Sequence, residues 1–212
     1  MNNTPVITLD LHFRGMTQAI AAYLIRHKDG AVLIESGPGS TRAGLEAGLA
    51  KENLSPRDIT HVFLTHIHLD HAGAAGWLSR QGAQIIVHPN GAAHMLNPEK
   101  LIASATRLYG DMMETLWGEF LPVAESQLKV TRDAQEIIIN DLHFTVLSLP
   151  GHAEHHNVYL FEDIVFTGDV GGVRIPGYKY LRLPMPPPEL HFANWRESLA
   201  RMKSYNPARI AP

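Results

Sequence analysis

Apolar and polar positions alternate with a period of two over several short stretches, the pattern of half-buried or buried strands. Residues 6–11 and 19–27 read as strands, and Lys28-Asp29-Gly30 turns the second into a third at 31–35. Ser36-Gly37-Pro38-Gly39-Ser40 breaks this run, and Ser40 or Thr41 caps a helix reaching about Asn53, with Leu45 and Leu49 on its buried stripe. After the turn at Ser55-Pro56-Arg57-Asp58 comes an apolar strand at 61–64, then a histidine-rich loop, a short helix at 72–79 and a strand at 84–87 that ends on His88-Pro89. Strand patterns return at 127–130, 136–139, 142–147, 158–161 and 164–166. Residues 171–190 read as a long loop with Pro176, Pro184, Pro186, Pro187 and Pro188, followed by a helix at 192–204 with Trp195, Leu199 and Met202 inward, and a final strand at 208–211.

Between residues 90 and 120 the period changes to that of a helix. Leu101, Ala105, Leu108, Met112 and Leu116 form one stripe, and Tyr109, Met113, Trp117 and Phe120 form a second beside it. One reading makes both a wide core-facing surface, and the pattern favours it. The sharper reading has one stripe pack inward while the other roofs a pocket. Strand-rich halves followed by helices predict a layered α/β architecture with the sheets in the middle. No low-complexity linker divides the sequence, so residues 1–212 are expected to form one domain.

Composition narrows the chemistry. Of 212 residues none is cysteine, which excludes disulfides, thiolate metal ligands and a cysteine nucleophile. A net charge of −3 argues against nucleic acid as a partner, since phosphate binding requires a basic surface. The start has neither a basic segment nor an apolar core of a signal peptide, and no apolar run suits a membrane span, so a cytoplasmic protein with a small-molecule substrate is expected. The oligomeric state is not legible. Histidine, at 13 residues, is the outlier.

The histidines concentrate in Thr65-His66-Ile67-His68-Leu69-Asp70-His71. An extended backbone puts His66 and His68 on one side, whereas adjacent Asp70 and His71 are expected to project apart. This spacing differs from the i, i+4 pair of a helical zinc site, and it suits either two neighbouring metals or one metal and a general base. Pro150-Gly151-His152 and Gly168-Asp169 each close a strand in a glycine turn, from which a ligand can point into a cleft.

Together, in this order, the HxHxDH, PGH and GD fragments resemble the metallo-β-lactamase superfamily over almost the whole chain. The resemblance implies a four-layer αβ/βα sandwich, carrying here a helical insertion around 90–120, with a dinuclear site at its edge. His66, His68 and His152 match the ligands of a first metal, Asp70 and His71 those of a second, and Asp169 the bridging carboxylate. His156 matches a supporting histidine behind the ligands, and His155 reads as a solvated neighbour. The family usually adds a histidine beyond its last strand. Here the sequence stops at Pro212, so either the domain continues beyond it, which is favoured, or the second metal is weakly held.

Two divalent cations are expected, zinc foremost and iron or manganese as alternatives. The expected reaction is attack of metal-bound hydroxide on a small ester, thioester or lactone, with Asp70 as the catalytic proton shuttle, a site plan similar to that of glyoxalase II. A mononuclear iron oxidoreductase resembling persulfide dioxygenases and a phosphodiesterase or nuclease are the alternatives. His68 stands where diiron relatives carry Glu, and Gly172 stands where acyl-homoserine lactonases carry Tyr. Arg174, Tyr178 and Tyr180, with Lys179 and Arg182, crowd the loop after Asp169 and are the expected substrate-binding groups.

Overall fold

In the computed structural model, residues 4–174, 177–185 and 190–212 are described. Of the proline-rich loop, Pro176, Pro186, Pro187 and Pro188 lie outside the described residues. The first sheet has six strands in sequence order: β1 (Val6–Asp10), β2 (Ala21–His27), β3 (Gly30–Ile34), β4 (Ile59–Phe63), β5 (Gln84–Val87) and β6 (Leu128–Val130). The first three pair antiparallel, as the tight turn at Asp29 allows. From β3 onward the pairing is parallel, because a helical connection returns each strand to the same end. These connections include α1 (Arg42–Lys51), α2 (Leu69–Ala72) and α3 (Ala75–Gln81), then α4 (Pro89–Leu96), α5 (Glu99–Tyr109) and α6 (Met113–Trp117).

The second sheet is ordered β11-β10-β9-β8-β7, built from β7 (Glu136–Ile139), β8 (Leu142–Ser148), β9 (Asn157–Phe161), β10 (Ile164–Phe166) and β11 (Arg209–Ala211). Helix α7 (Phe192–Ser204) precedes β11 and lets it join β10 in parallel.

Side-chain alternation along the strands builds the layers. Ala22, Leu24, Ala31 and Leu33 face α1 and α3, while Tyr23, Ile25, Val32 and Ile34 face the second sheet. Phe144, Val146, Tyr159 and Phe166 meet that inner face, where Phe63 packs edge-on against Tyr159 at 5.1 Å between ring centroids. The outer face of the second sheet buries Leu147, Val158 and Val165 against Trp195 and Met202 of α7. The result is the expected four-layer αβ/βα sandwich. No helix among the described residues is long and apolar enough to cross a membrane.

Several local expectations change. The helix expected at 72–79 is two helices, α2 and α3, separated at Gly73-Ala74. Leu199, expected inward on α7, is 38% exposed, and Ser198 takes the buried position, with its hydroxyl donating to the Pro150 carbonyl at 2.6 Å. Residues 90–120 do not form one core-facing surface: α5 has no fully buried residue, and Leu108 and Met112 are exposed.

Candidate metal centre

Three strand ends and one helix tip meet at one edge of the sandwich. Thr65, His66 and Ile67 leave β4 in irregular backbone, and α2 begins directly after His68, so Asp70 and His71 occupy its first turns. The turn at Gly151 follows β8, and Gly168-Asp169 follows β10. Glycine is required at both. Gly151 has φ +143°, and a Cβ there would run into the backbone of Trp195; Gly168 has φ +47°, and a Cβ would run into Thr65. Helix α7 holds the first turn from outside, since the His191 amide donates to the Gly151 carbonyl at 2.8 Å. The Trp195 indole donates to the Val170 carbonyl at 2.7 Å and so ties the helix to the Asp169 segment as well.

These turns bring the donor atoms of His66, His68, His152 and Asp169 within 4.8 Å of one another. His152 Nε2 lies 2.9 Å from His68 Nδ1 and 3.3 Å from Asp169 Oδ2. Its other nitrogen, Nδ1, donates to the Pro184 carbonyl at 2.9 Å, which leaves Nε2 of the neutral ring as a lone-pair donor aimed at the cluster. His66 is fully buried and its Nε2 has no hydrogen-bond partner. His71 Nε2 sits 3.4 Å from both Asp70 Oδ2 and Asp169 Oδ1. Asp70 and His71, expected to project apart, therefore converge on each other.

A carboxylate that the sequence reading missed completes this second group. Glu35 is buried at the end of β3 with φ +66°, and its Oε1 lies 3.2 Å from His71 Nδ1. It also accepts from the Thr65 hydroxyl, and that hydroxyl lies 3.0 Å from His66 Nδ1. Glu35, His66 and His71 bring their donor atoms within 4.8 Å of one another. The signal was present: a carboxylate follows the buried strand 31–34 and precedes Ser36-Gly37, the same strand-end-into-glycine pattern as the other two turns.

The electrostatics divide the histidines. Burial, reinforced by neighbouring imidazoles, holds His66 and His156 well below the ordinary histidine range and His68 at about 3. His152 is lowered by burial too, against the pull of Asp169. All four are neutral rings at neutral pH, the form that can donate a lone pair. Burial would also lower His71, but Asp70, Asp169 and Glu35 outweigh it and hold that imidazole well above its ordinary value. Asp70 is held down by His71 and His68 in spite of burial.

His156, the expected supporting residue, stacks on His66 at 4.9 Å between centroids, and the Asp169 amide donates to its Nε2 at 3.5 Å. His155 is not the solvated neighbour expected. It is buried, lies parallel to His66 at 6.1 Å, and its Nδ1 accepts from the Ile67 amide at 3.4 Å. The strand hairpin between β8 and β9 carries both rings inward because its own backbone closes through Leu149 and His156.

A cavity of about 610 Å³ opens over His68, Asp70, His152 and Asp169. Its far wall is the helical insertion, through Leu101, Ala105 and Leu108 of α5 with Tyr109 and Trp117. Pro184 and Met185 form another side. The expected substrate groups lie elsewhere: Arg174 and Tyr178, with Lys179, border a separate depression beside Gln18, and Tyr180 stacks edge-on against Tyr178 at 5.4 Å. A backbone bridge joins Val173 to Arg182 across this loop.

Comparison with known proteins agrees with this fold. The family model described as the metallo-beta-lactamase superfamily matches residues 17–212. The chain is 27% identical over 153 residues to the metallo-beta-lactamase fold-containing protein ST1585 of Sulfurisphaera tokodaii, covering 70% of this chain and 58% of that protein. It is 28% identical over 158 residues to the probable metallo-hydrolase YqjP of Bacillus subtilis, covering 68% and 49%. A match to the hydroxyacylglutathione hydrolase of Shewanella pealeana, at 32% over 110 residues, covers 51% of this chain and 31% of that enzyme. The chain thus spans less than two thirds of the length of these relatives. Among solved structures, an archaeal metallo-beta-lactamase superfamily protein from Sulfolobus tokodaii superimposes with a TM-score of 0.81 at 22% identity, covering 98% of this chain and 78% of that one. The family protein TTHA1429 from Thermus thermophilus gives 0.73 at 21% identity, covering 97% and 72%. At such identities the likeness concerns the fold.

Proposed function

This chain belongs to the metallo-beta-lactamase superfamily, and from that membership we propose that it is a metal-dependent hydrolase of a small ester, thioester or lactone. The observation that carries the reading is the convergence of His66, His68, His152 and Asp169, of which the last three reach the floor of a cavity with an open side. The donor set fits a divalent cation. His66 offers a buried nitrogen without a hydrogen-bond partner, and two neutral imidazole nitrogens face each other at 2.9 Å beside a carboxylate. In this reading His66, His68 and His152 would hold one cation, Asp70 and His71 would hold a second, and Asp169 would contribute to either. Zinc suits nitrogen and oxygen donors, and iron or manganese suit them as well.

A bound divalent cation polarises a carbonyl oxygen and brings the pKa of water from 15.7 to about 7. The residues of the chain do the rest. The Pro184 carbonyl fixes the tautomer of His152, and the Thr65 hydroxyl and Glu35 fix the rings of His66 and His71. Asp70 lines the cavity beside the donor cluster, where its carboxylate can accept a proton from the attacking water and pass it to the leaving group. The matched relative named hydroxyacylglutathione hydrolase supports an acyl substrate for this site.

Metal analysis coupled to turnover of a panel of thioesters, lactones, β-lactams and phosphodiesters tests the proposal. Hydrolysis of an acyl substrate that is lost on chelation and restored by zinc is the expected result. One tightly bound iron with oxygen consumption and no hydrolysis would overturn it in favour of an oxidoreductase.

A further inference from the structure

The apolar face of α5 is only partly covered. Helix α1 buries its stripe through Leu45 and Leu49, whereas α5, like the short α6, has none of its residues fully buried. Leu101 and Ala105 pack partly against the core beneath, and Leu108 remains 66% exposed. These three side chains line the cavity that also reaches His68, Asp70, His152 and Asp169, together with Lys100 and Ser104 of the same helix and Met185, which is 53% exposed. Trp117 also lines the cavity, braced by Tyr109 at 5.1 Å and Phe13 at 5.8 Å between ring centroids.

Leu101 and Leu108 lie seven positions apart on one helix, which places them about 10 Å from end to end. The apolar side chains therefore run along the helix rather than forming a single contact, with Lys100 and Ser104 as polar neighbours on the same lining. Apolar surface held in water gains most when an apolar ligand covers it. That ligand must also meet the polar floor, because His68, Asp70, His152 and Asp169 line the same cavity as the α5 stripe. A molecule with a hydrolysable polar head and an unbranched apolar tail satisfies both walls at once.

We propose that the substrate carries a medium-length straight acyl chain, which lies along Leu101, Ala105 and Leu108 of α5 and against Met185 while its acyl carbon rests over the histidine cluster. This rests on the hydrolase reading for the fate of the head group, but the chain-binding wall stands on its own geometry. Leu108 and Met185, the most exposed apolar side chains lining the cavity, are the residues that set chain length.

The test uses the full chain loaded with zinc and two measurements. The first is kcat/KM for 4-nitrophenyl esters from acetyl to decanoyl. The second is binding of the corresponding straight-chain carboxamides, which resist hydrolysis, followed by the fluorescence of Trp117 with Trp117→Phe as the blank. Both are expected to rise about fourfold per methylene until the groove is filled. Leu108→Asp, at a position already exposed, is expected to flatten the dependence, and Ile138→Asp on the exposed face of β7 is expected to leave it intact. A flat profile in the unaltered protein, or an unchanged profile in Leu108→Asp, would overturn the proposal. The two readings fail separately. Carboxamide binding that grows with length, without hydrolysis of any ester, thioester or lactone, removes the hydrolase and keeps the groove. Hydrolysis that ignores chain length removes the groove and keeps the hydrolase.

Discussion

The Nε2 atom of His152 lies 2.9 Å from Nδ1 of His68, although 84 positions separate the two residues in sequence. The two ring nitrogens share a hydrogen bond at that distance, and with His68 in its Nε2–H tautomer both could instead give their lone pairs to one cation. Asp169 Oδ2, 3.3 Å from the same His152 nitrogen, adds the negative charge that such a cation requires. His68→Ala and Asp169→Ala should therefore each lose metal-dependent turnover by several orders of magnitude and retain less metal, while the far-ultraviolet circular dichroism stays that of the folded chain. Full activity with full metal content in either variant would show that the cluster is not the reaction centre.

Glu35 acts at one remove, through the rings it positions. Its carboxylate touches His71 and the Thr65 hydroxyl beside His66, and its φ of +66° is held only by the surrounding packing. Glu35→Gln keeps the shape but weakens the hydrogen bond to His71, and metal affinity should fall by about 10–100-fold. Competition titration against a chromophoric chelator reads this directly. Glu35→Asp is expected to restore part of the affinity, which a role limited to filling space would not explain.

His88 gives a pH dependence away from the metal ligands. It is buried at the start of α4, bonded to the Ser148 hydroxyl at 2.9 Å and accepting from the Asn90 amide at 3.1 Å. Burial, with His155 nearby, lowers its pKa from 6.5 to about 4. The unfolded chain takes up the proton at higher pH than the folded one, so this contribution to stability is complete above pH 6.5 and is lost as the pH falls towards 4. The melting temperature should drop across that window, and His88→Gln should show a shallower drop. An identical pH profile in the variant would contradict this account.

Gly151 is the point at which α7 and the His152 turn touch. A methyl group there would overlap the Trp195 backbone, and φ +143° is open to glycine alone. Gly151→Ala should destabilise the protein by about 1–3 kcal/mol, seen as a melting temperature lower by several degrees. Metal retention should fall together with it, because His152 rides on the same turn. An unshifted melt would mean that α7 is free to move aside.

The layered architecture was legible because each strand announces itself through local alternation, and the turns through glycine and proline. The strand boundaries at 84–87, 136–139 and 164–166 coincide with those of the structure. Helical periodicity likewise revealed the insertion but not which way its stripes face. Leu199 and Leu108 show the limit: each fits an apolar helical repeat, yet each is left exposed, since the repeat records a face and not what the face meets.

By itself the sequence determined the order of the sandwich and the three motifs from which the candidate donors come, since spacing over a few residues is a local property. Tertiary structure decided which of them converge. It drew Glu35 in from β3, buried His155 against the cluster, and put α5 rather than Arg174, Tyr178 and Tyr180 on the wall of the cavity. The physical reason is that the site forms where two sheets close on each other. The ends of β3, β4, β8 and β10 become neighbours only once their apolar inner faces have packed, and nothing in the local pattern of any one strand records that meeting.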